Sequence, residues 1–194
     1  MPRIEPFEPS IHSDREQIYS PAEDTRLLLK AALQEVGPGD RVLEIGCGRA
    51  LISRELSLKA RLVVATDVNP HATRMARSLG LETIRADLFR GIRARYDLVV
   101  FNPPYLPTAP EERSPGWINY ALDGGESGRE TIIRFLEGLP EHLSPGGRAL
   151  LLVSSHCEIP RVIEAADRAG LGAQVVDRER FFFEELQVLK IHKL

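Results

Sequence analysis

Short apolar stretches rich in β-branched residues recur along the chain, and segments with helical spacing separate most of them. The apolar stretches predict seven strands, at residues 41–45, 62–66, 83–86, 97–101, 149–153, 173–176 and 187–191. The segments between them predict helices at residues 50–58, 70–79, 129–143 and 160–169. Strands that alternate with helices form crossover units, so we expect an α/β fold with a mostly parallel sheet and helices on both faces.

The two ends of the chain depart from this alternation. The connection at residues 177–185 is too short to hold a helix, so the last two strands are expected to form a hairpin with one antiparallel strand. Near the start, Ser20 is placed to cap a helix, Pro21 fits the first helical position and Glu23 completes a capping box. That helix is expected to end at residues 37–39, which read Gly-Pro-Gly.

The first 18 residues are expected to form an irregular arm, because Pro2, Pro6 and Pro9 block regular structure. Residues 19–194 are then expected to form a single domain. No repeat or low-complexity segment divides them.

Composition excludes several classes of protein. The 194 residues are 43% hydrophobic and 27% charged, and no apolar run reaches the roughly 20 residues that span a bilayer. The first ten residues lack a basic region followed by an apolar one, and the only cysteines are Cys47 and Cys157. We therefore expect a cytoplasmic protein without a structural zinc site, a bound metal or a disulfide framework. A net charge of −3 argues against a surface dedicated to nucleic acid.

Three strand ends carry residues suited to a nucleoside-containing cofactor. The first runs into the turn Gly46-Cys47-Gly48, where glycines let the backbone approach a ligand, although Leu51 replaces the third glycine of a dinucleotide fingerprint. Asp67 ends the second strand and is placed to bind both hydroxyls of a ribose. Asp87 ends the third strand, where it is placed to accept from an adenine amine while Leu88 packs on the base.

Glu44 is unusual inside a strand, since a buried carboxylate needs a partner. The donors at the start of the N-terminal helix, or a cationic ligand group, would satisfy it. S-adenosylmethionine carries an ammonium and a sulfonium, and it lacks the pyrophosphate that a complete phosphate-binding loop serves. The pattern thus favours S-adenosylmethionine over a nicotinamide dinucleotide.

The fourth strand ends in Asn102-Pro103-Pro104-Tyr105. The two prolines have a fixed φ and no N–H, so this turn is stiff and its carbonyls point outward. The Asn102 side-chain oxygen and the Pro103 carbonyl are candidate acceptors for the two N–H groups of a planar amide or amine, and Tyr105 offers an aromatic face.

These features together resemble the successive motifs of class I S-adenosylmethionine-dependent methyltransferases, whose fold is Rossmann-like. The Asn-Pro-Pro-Tyr form belongs to the branch that methylates amino and amide nitrogens. Residues 18–25 and 123–130 further resemble the short archaeal and eukaryotic form of the HemK-type release-factor glutamine methyltransferases. The match spans roughly residues 18–155. Ala50 departs from it, since relatives often carry glycine or serine there, and we expect little effect.

The resemblance implies roles for individual residues. The cofactor would contact Thr25, Glu44, Gly46, Gly48, Asp67, Asp87, Leu88 and Asn102. The substrate amide would be held by Asn102, Pro103, Pro104 and Tyr105, of which Asn102, Pro103 and Tyr105 would be catalytic. The substrate would be the glutamine of the Gly-Gly-Gln motif in a peptide chain release factor. A small zinc-binding activator protein would pair with the sheet edge near Leu81, Thr83 and Ile84, giving a heterodimer.

Alternatives remain open at this level. Adenine N6 in DNA and a protein lysine are also amine acceptors that this tetrapeptide would fit, and an inactive cofactor-binding scaffold is a reading of a different class. Two roles remain possible for Trp117, which would either form a lid or wall of the substrate site or simply anchor its loop. Phe181-Phe182-Phe183 is a partner surface or, more commonly for such a run, packs in the core and hairpin.

Overall fold

Six α-helices, seven strands and two short 3-10 helices (Pro110–Glu112 and Ser155–Cys157) follow one another in the computed structural model, which describes residues 17–113 and 116–194. Pro2, Pro6 and Pro9 of the predicted arm lie outside the described residues. The α-helices are α1 (Glu23–Glu35), α2 (Leu51–Leu56), α3 (Pro70–Ser78), α4 (Trp117–Tyr120), α5 (Glu130–His142) and α6 (Ile159–Arg168). The strands are β1 (Arg41–Ile45), β2 (Leu62–Asp67), β3 (Glu82–Arg85), β4 (Tyr96–Phe101), β5 (Leu143–Ser154), β6 (Leu171–Arg180) and β7 (Glu185–Lys193).

The seven strands form one sheet in the order β3-β2-β1-β4-β5-β7-β6. The pairs β2–β3, β1–β2, β1–β4 and β4–β5 are parallel, whereas β7 runs antiparallel to both β5 and β6. One reversed strand in a seven-stranded sheet confirms the predicted fold class and the predicted hairpin. The hairpin strands are longer than their apolar stretches, so the loop between them shrinks to residues 181–184.

Helices cover both faces of the sheet. On one face, α5 and α6 pack through apolar side chains against alternate residues of β4 and β5, and the buried members include Ile132, Phe135, Leu139, Val162 and Ala166. On the other face, α1 and α2 pack against β1, β4 and β5 through the buried side chains of Leu27, Leu28, Ala31, Ile52 and Leu56. The central strands are therefore apolar on both sides, as parallel strands between two helical layers require. Within the described ranges, no helix is long and apolar enough to cross a membrane.

The start of α1 differs from the prediction. Ala22, not Ser20, is the residue before the first turn; its backbone is extended, and no side-chain capping bond is formed there within the described part of the chain. The proposed capping by Ser20 and Glu23 is thus wrong. Asp24, in the first turn of this helix, is buried with 4% of its surface exposed.

The end of the predicted arm packs on the domain. Ile18 is buried, and the Asn69 side-chain amide donates to the Gln17 carbonyl at 2.9 Å. The division of the chain at residue 18 stays a prediction.

The strand order creates the place for a site. Strands β1 and β4 are neighbours, yet the chain proceeds from β1 outward through β2 and β3 before it returns to β4. Ligands of open α/β sheets bind in the crevice at the carboxyl ends of strands around such a reversal. Here those ends are Ile45, Asp67 and Phe101.

Candidate functional site

A cavity of about 560 Å³ opens at this crevice, within the range that small-molecule sites occupy. Every residue that the sequence placed in the site contributes to its wall, namely Thr25, Glu44, Gly46, Gly48, Asp67, Asp87, Leu88, Asn102, Pro103, Pro104 and Tyr105. The structure therefore brings together all of the predicted site residues. The cavity is also lined by residues that sequence reasoning did not assign, above all Tyr19, Asp24, Arg134 and Glu184.

The turn after β1 follows an unusual backbone path. Gly46 and Gly48 have φ values of 65° and 52°, in the left-handed region that favours glycine. Ala50 adopts the same region with a φ of 57° and is fully buried. A non-glycine residue in this region costs about 1 kcal/mol, so Ala50 carries backbone strain at this turn.

Asp67 ties this turn to the next one. One carboxylate oxygen accepts from the Gly48 N–H at 2.9 Å and the other accepts from the Asn69 N–H at 2.8 Å. Burial raises the pKa of the carboxyl group, and these backbone donors offset part of that rise. The side chain thus stands at the cavity wall with its orientation fixed from both sides.

Glu44 finds its partner in α2 and not in the N-terminal helix. Its Oε2 accepts from the Ser53 N–H at 2.8 Å and also from the Ser53 hydroxyl. The expectation that the start of the N-terminal helix would supply the donors is therefore wrong. Burial raises the pKa of Glu44 to about 8, against the lowering effect of the two Ser53 donors.

Asp87 is held by a residue from a later helix. The Arg134 guanidinium of α5 donates to the Asp87 Oδ2 at 2.7 Å. The next residue, Leu88, has a φ of 49°, which turns its backbone sharply at the cavity wall. The strand end therefore presents an acidic and an apolar side chain to the same space.

Asn102 is oriented by a carboxylate from the far side of the site. Its Nδ2 donates to the Asp24 Oδ2 at 3.0 Å, and the Tyr19 hydroxyl donates to the same oxygen at 3.2 Å. The Asn102 Oδ1 is buried and has no hydrogen-bond partner among the residues that the structure describes. A buried acceptor without a partner is costly in a folded protein, and this one belongs to a residue that lines the cavity.

Asp24 itself is fixed by its neighbour in α1. Its Oδ1 accepts from the Thr25 N–H at 2.5 Å and from the Thr25 hydroxyl at 3.1 Å. Burial raises the pKa of Tyr19 to about 12, and the Asp24 carboxylate adds to that rise. In the sequence, Asp24 stood within the segment 18–25 that carries the family resemblance, with no role of its own assigned.

Tyr105 closes the site beside Asn102. Its pKa is raised by burial and by the nearby carboxylates of Asp24 and Glu184, so the phenol stays protonated at neutral pH. Glu184 comes from the turn before β7, where its Oε1 accepts from the Ser154 hydroxyl at 2.6 Å. Nothing in the local sequence pointed to Glu184 as a wall of the site.

Glycines of the 123–130 segment lie against the backbone of the Asn102–Tyr105 tetrapeptide. A side chain at Gly128 would stand 2.5 Å from the Tyr105 carbonyl oxygen, and one at Gly124 would stand 3.0 Å from the Pro104 carbonyl oxygen. The Gly124 N–H donates to the Leu106 carbonyl at 3.0 Å. The two segments can lie this close only because those positions lack side chains.

Trp117 and Tyr120 of α4 form another wall of the cavity. Their rings pack edge to face with centroids 6.2 Å apart, and the Arg85 guanidinium lies 6.0 Å from the Trp117 ring centroid. Of the two readings left open by the sequence, the position of Trp117 favours a wall of the site.

Comparison with known proteins gives a consistent result. The family model for the methyltransferase small domain matches residues 19–114. A putative protein N5-glutamine methyltransferase of Methanocaldococcus jannaschii is 37% identical over 185 residues, which cover 92% of this chain and 93% of that protein. Human methyltransferase HEMK2 is 33% identical over 192 residues, covering 91% of this chain and 90% of the human protein.

Solved structures agree. The Mtq2 structure from E. cuniculi, determined with Trm112, superposes with a TM-score of 0.77 at 30% identity and covers 92% of this chain and 99% of that one. The chain is thus similar to these proteins in sequence, fold and length. The chain belongs to the family of S-adenosylmethionine-dependent methyltransferases that includes HEMK2 and the N5-glutamine methyltransferases.

Proposed function

We propose that this enzyme transfers the methyl group of S-adenosylmethionine to the side-chain amide nitrogen of the glutamine in the Gly-Gly-Gln motif of a peptide chain release factor. The observation that carries the proposal is the Oδ1 of Asn102, which is buried, has no hydrogen-bond partner among the described residues and lines the same cavity as Tyr105. It is an acceptor for an N–H of a planar amide. The M. jannaschii relative is named for glutamine methylation, and the Mtq2–Trm112 complex is described as methylating the termination factor eRF1. We assign the reaction to the cytoplasm.

The cavity fits the cofactor. The left-handed turn at Gly46 and Gly48 would bring the backbone close to the bound cofactor, and Asp67 would bind the ribose hydroxyls. Asp87 and Leu88 are assigned to the adenine, and Thr25 and Asn102 to the edge nearest the substrate. When bound, the cofactor supplies an electrophilic methyl group on a sulfonium. A cationic ligand group next to Glu44 favours the carboxylate form of that residue, whose pKa burial has raised.

The substrate amide needs holding rather than deprotonation before the transfer, because the nitrogen loses one N–H proton to solvent only after the N–C bond has formed and the sulfonium C–S bond has broken. Its nitrogen is a weak nucleophile, because the lone pair is delocalised into the carbonyl, and it gains positive charge as the methyl group arrives. The Asn102 Oδ1 and the Pro103 carbonyl accept its two N–H groups and stabilise that charge. Tyr105 offers a neutral aromatic face to the amide plane. Holding the nitrogen in line with the methyl group lowers the activation barrier further, and this accounts for a large part of the rate enhancement.

The experiment that tests the proposed function is methylation of purified release factor, followed by mass measurement of its peptides. We expect one added methyl group on the glutamine of the Gly-Gly-Gln motif and none on a factor in which alanine replaces that glutamine. Parallel reactions with adenine-containing DNA and with lysine peptides address the two other acceptors. Methylation of either of these, with an unmodified factor, would overturn the assignment.

The activator is assigned to the β3 edge of the sheet. In the described part of the chain β3 pairs only with β2, so its other side has free backbone groups. Ile84 in this strand is 41% exposed, and Leu81 and Thr83 lie beside it. The solved relative Mtq2 was determined in complex with Trm112, which supports a small partner for this chain as well. We assign that partner as the zinc-binding activator.

Exchange of Ile84 for arginine tests this assignment. A charge in the centre of the interface should abolish co-purification with the activator, because charged residues are depleted from interface cores. Val175→Arg is the matched control, since Val175 is equally exposed at 41% but lies on β6 at the opposite edge of the sheet. Retention of the activator by Ile84→Arg, or its loss from Val175→Arg, would place the partner elsewhere.

A further inference from the structure

The turn between β6 and β7 exposes two phenyl rings. Phe182 is 92% exposed and Phe183 is 84% exposed, and the two rings pack on each other with centroids 4.5 Å apart and planes 88° apart. The expectation that this run packs in the core and hairpin is therefore wrong for these two residues. Large apolar side chains held in water forgo the free energy of burial, and such a cluster marks an interaction surface.

The turn that carries the rings is firmly anchored. The Phe181 N–H donates to the Glu184 carbonyl at 2.7 Å and closes the turn. The Ser154 hydroxyl donates to the Glu184 carboxylate at 2.6 Å, and the Glu185 N–H donates to the Ser155 hydroxyl at 3.1 Å. Both anchors lie at the carboxyl end of β5, so the phenyl rings are presented by a fixed support.

The same turn forms part of the rim of the catalytic cavity. Glu184, directly after Phe183, lines the cavity that contains Asn102 and Tyr105. Its carboxylate is close enough to contribute to the raised pKa of Tyr105. The exposed rings therefore directly precede, in the same turn, a residue that lines the cavity containing Tyr105.

We propose that Phe182 and Phe183 dock on the surface of the protein substrate beside the loop that carries the acceptor glutamine. This inference rests on the proposed function and adds a recognition element outside the cavity. Aromatic side chains are the usual anchors of protein interfaces, and rigid ones lose little conformational entropy on binding. Continuity with the cavity rim selects the substrate as the occupant.

The activator is an unsuitable occupant. Its assigned strand β3 and the β6 strand that leads into the turn lie at opposite edges of the sheet, six strand spacings apart. At about 4.8 Å a spacing, that separation is roughly 29 Å. One small protein on β3 does not cover the phenyl rings as well.

The test compares intact release factor with a short peptide that contains Gly-Gly-Gln, using the enzyme with its activator. The double variant Phe182→Ala/Phe183→Ala should raise KM for the factor about tenfold and leave its kcat unchanged, since anchor residues contribute binding and no chemistry. Its kcat/KM for the peptide should match that of the unaltered enzyme. The control is Leu58→Ala, which removes an apolar side chain that is 79% exposed at the end of α2 and should change neither substrate.

The possible results separate the two proposals. An unaltered enzyme that fails to methylate the factor overturns the proposed function and, with it, the docking surface. An enzyme that methylates the factor with a KM that the double variant leaves unchanged overturns the docking surface alone. An equal loss of kcat/KM on factor and on peptide would also overturn the docking surface. So would a change in oligomeric state or in activator binding, measured by light scattering.

Discussion

Replacement of Asn102 by alanine is expected to lower kcat on the glutamine acceptor by about 10²–10³-fold, the usual effect of removing one preorganised polar group that stabilises developing charge. The Oδ1 of Asn102 is buried and has no partner within residues 17–113 and 116–194, so its hydrogen bond to the substrate breaks no contact to that part of the chain. The measurement is single-turnover methylation at saturating cofactor. Cofactor affinity, determined separately by calorimetry, reports the share of the loss that comes from binding.

Tyr105→Phe is the matched comparison for this variant. It keeps the aromatic face and removes only the phenolic hydroxyl, which stays protonated and takes no part in the proposed chemistry. Its kcat should stay within about threefold of the original. A tenfold loss would correspond to roughly 1.4 kcal/mol of transition-state stabilisation, and the expected effect is smaller than that. If Asn102→Ala keeps a similar rate, the acceptor amide is held by other groups.

The second large effect is expected from Asp24→Asn, which changes one atom. The Thr25 N–H must face an oxygen, so the new amide keeps its oxygen toward Thr25 and turns its NH2 toward Asn102. Asn102 then rotates to offer its oxygen to that NH2, and its own NH2 faces the substrate. The Asn102 NH2 and the N–H of the substrate amide are both donors and would then face each other. This should lower kcat by about 10²-fold, because a buried donor is left without an acceptor.

A double variant shows whether Asp24 acts through Asn102. In Asp24→Asn/Asn102→Ala the second change should add little to the first, since residues that act as one unit are not additive. The thermal midpoint and the cofactor affinity of Asp24→Asn should stay near the original values. Glu23→Gln, a neutralised carboxylate in the same helical turn, is the control and should keep full activity. Additive losses would make Asp24 a structural residue only.

The parts of the site that the sequence predicted are those encoded locally. Gly46, Gly48 and Asp67 stand at the ends of strands whose apolar patterns are clear, so their place at one edge of a parallel sheet follows from the fold class. The strand order was not predicted, because a crossover pattern with a terminal hairpin does not say that β7 lies between β5 and β6.

The parts that the sequence did not predict come from distant segments. Asp24 meets Asn102 across 78 residues, Asp87 meets Arg134 across 47, and Ser154 meets Glu184 across 30. No periodicity or local motif encodes such pairs, because they exist only once the sheet has assembled. The predicted capping box at the start of α1 was also wrong, since the residue before the first turn is Ala22 and no side-chain capping bond forms there in the described part of the chain.

The central claim is that Asp24 holds Asn102 so that its side-chain oxygen receives the amide of a glutamine. The most direct measurement is a structure of the enzyme with the demethylated cofactor and a peptide that contains Gly-Gly-Gln. We expect the glutamine nitrogen about 3 Å from the Asn102 Oδ1, with the Asn102 Nδ2 still bonded to Asp24. A glutamine nitrogen bound elsewhere, or an Asn102 oxygen turned away from the peptide, would contradict the account.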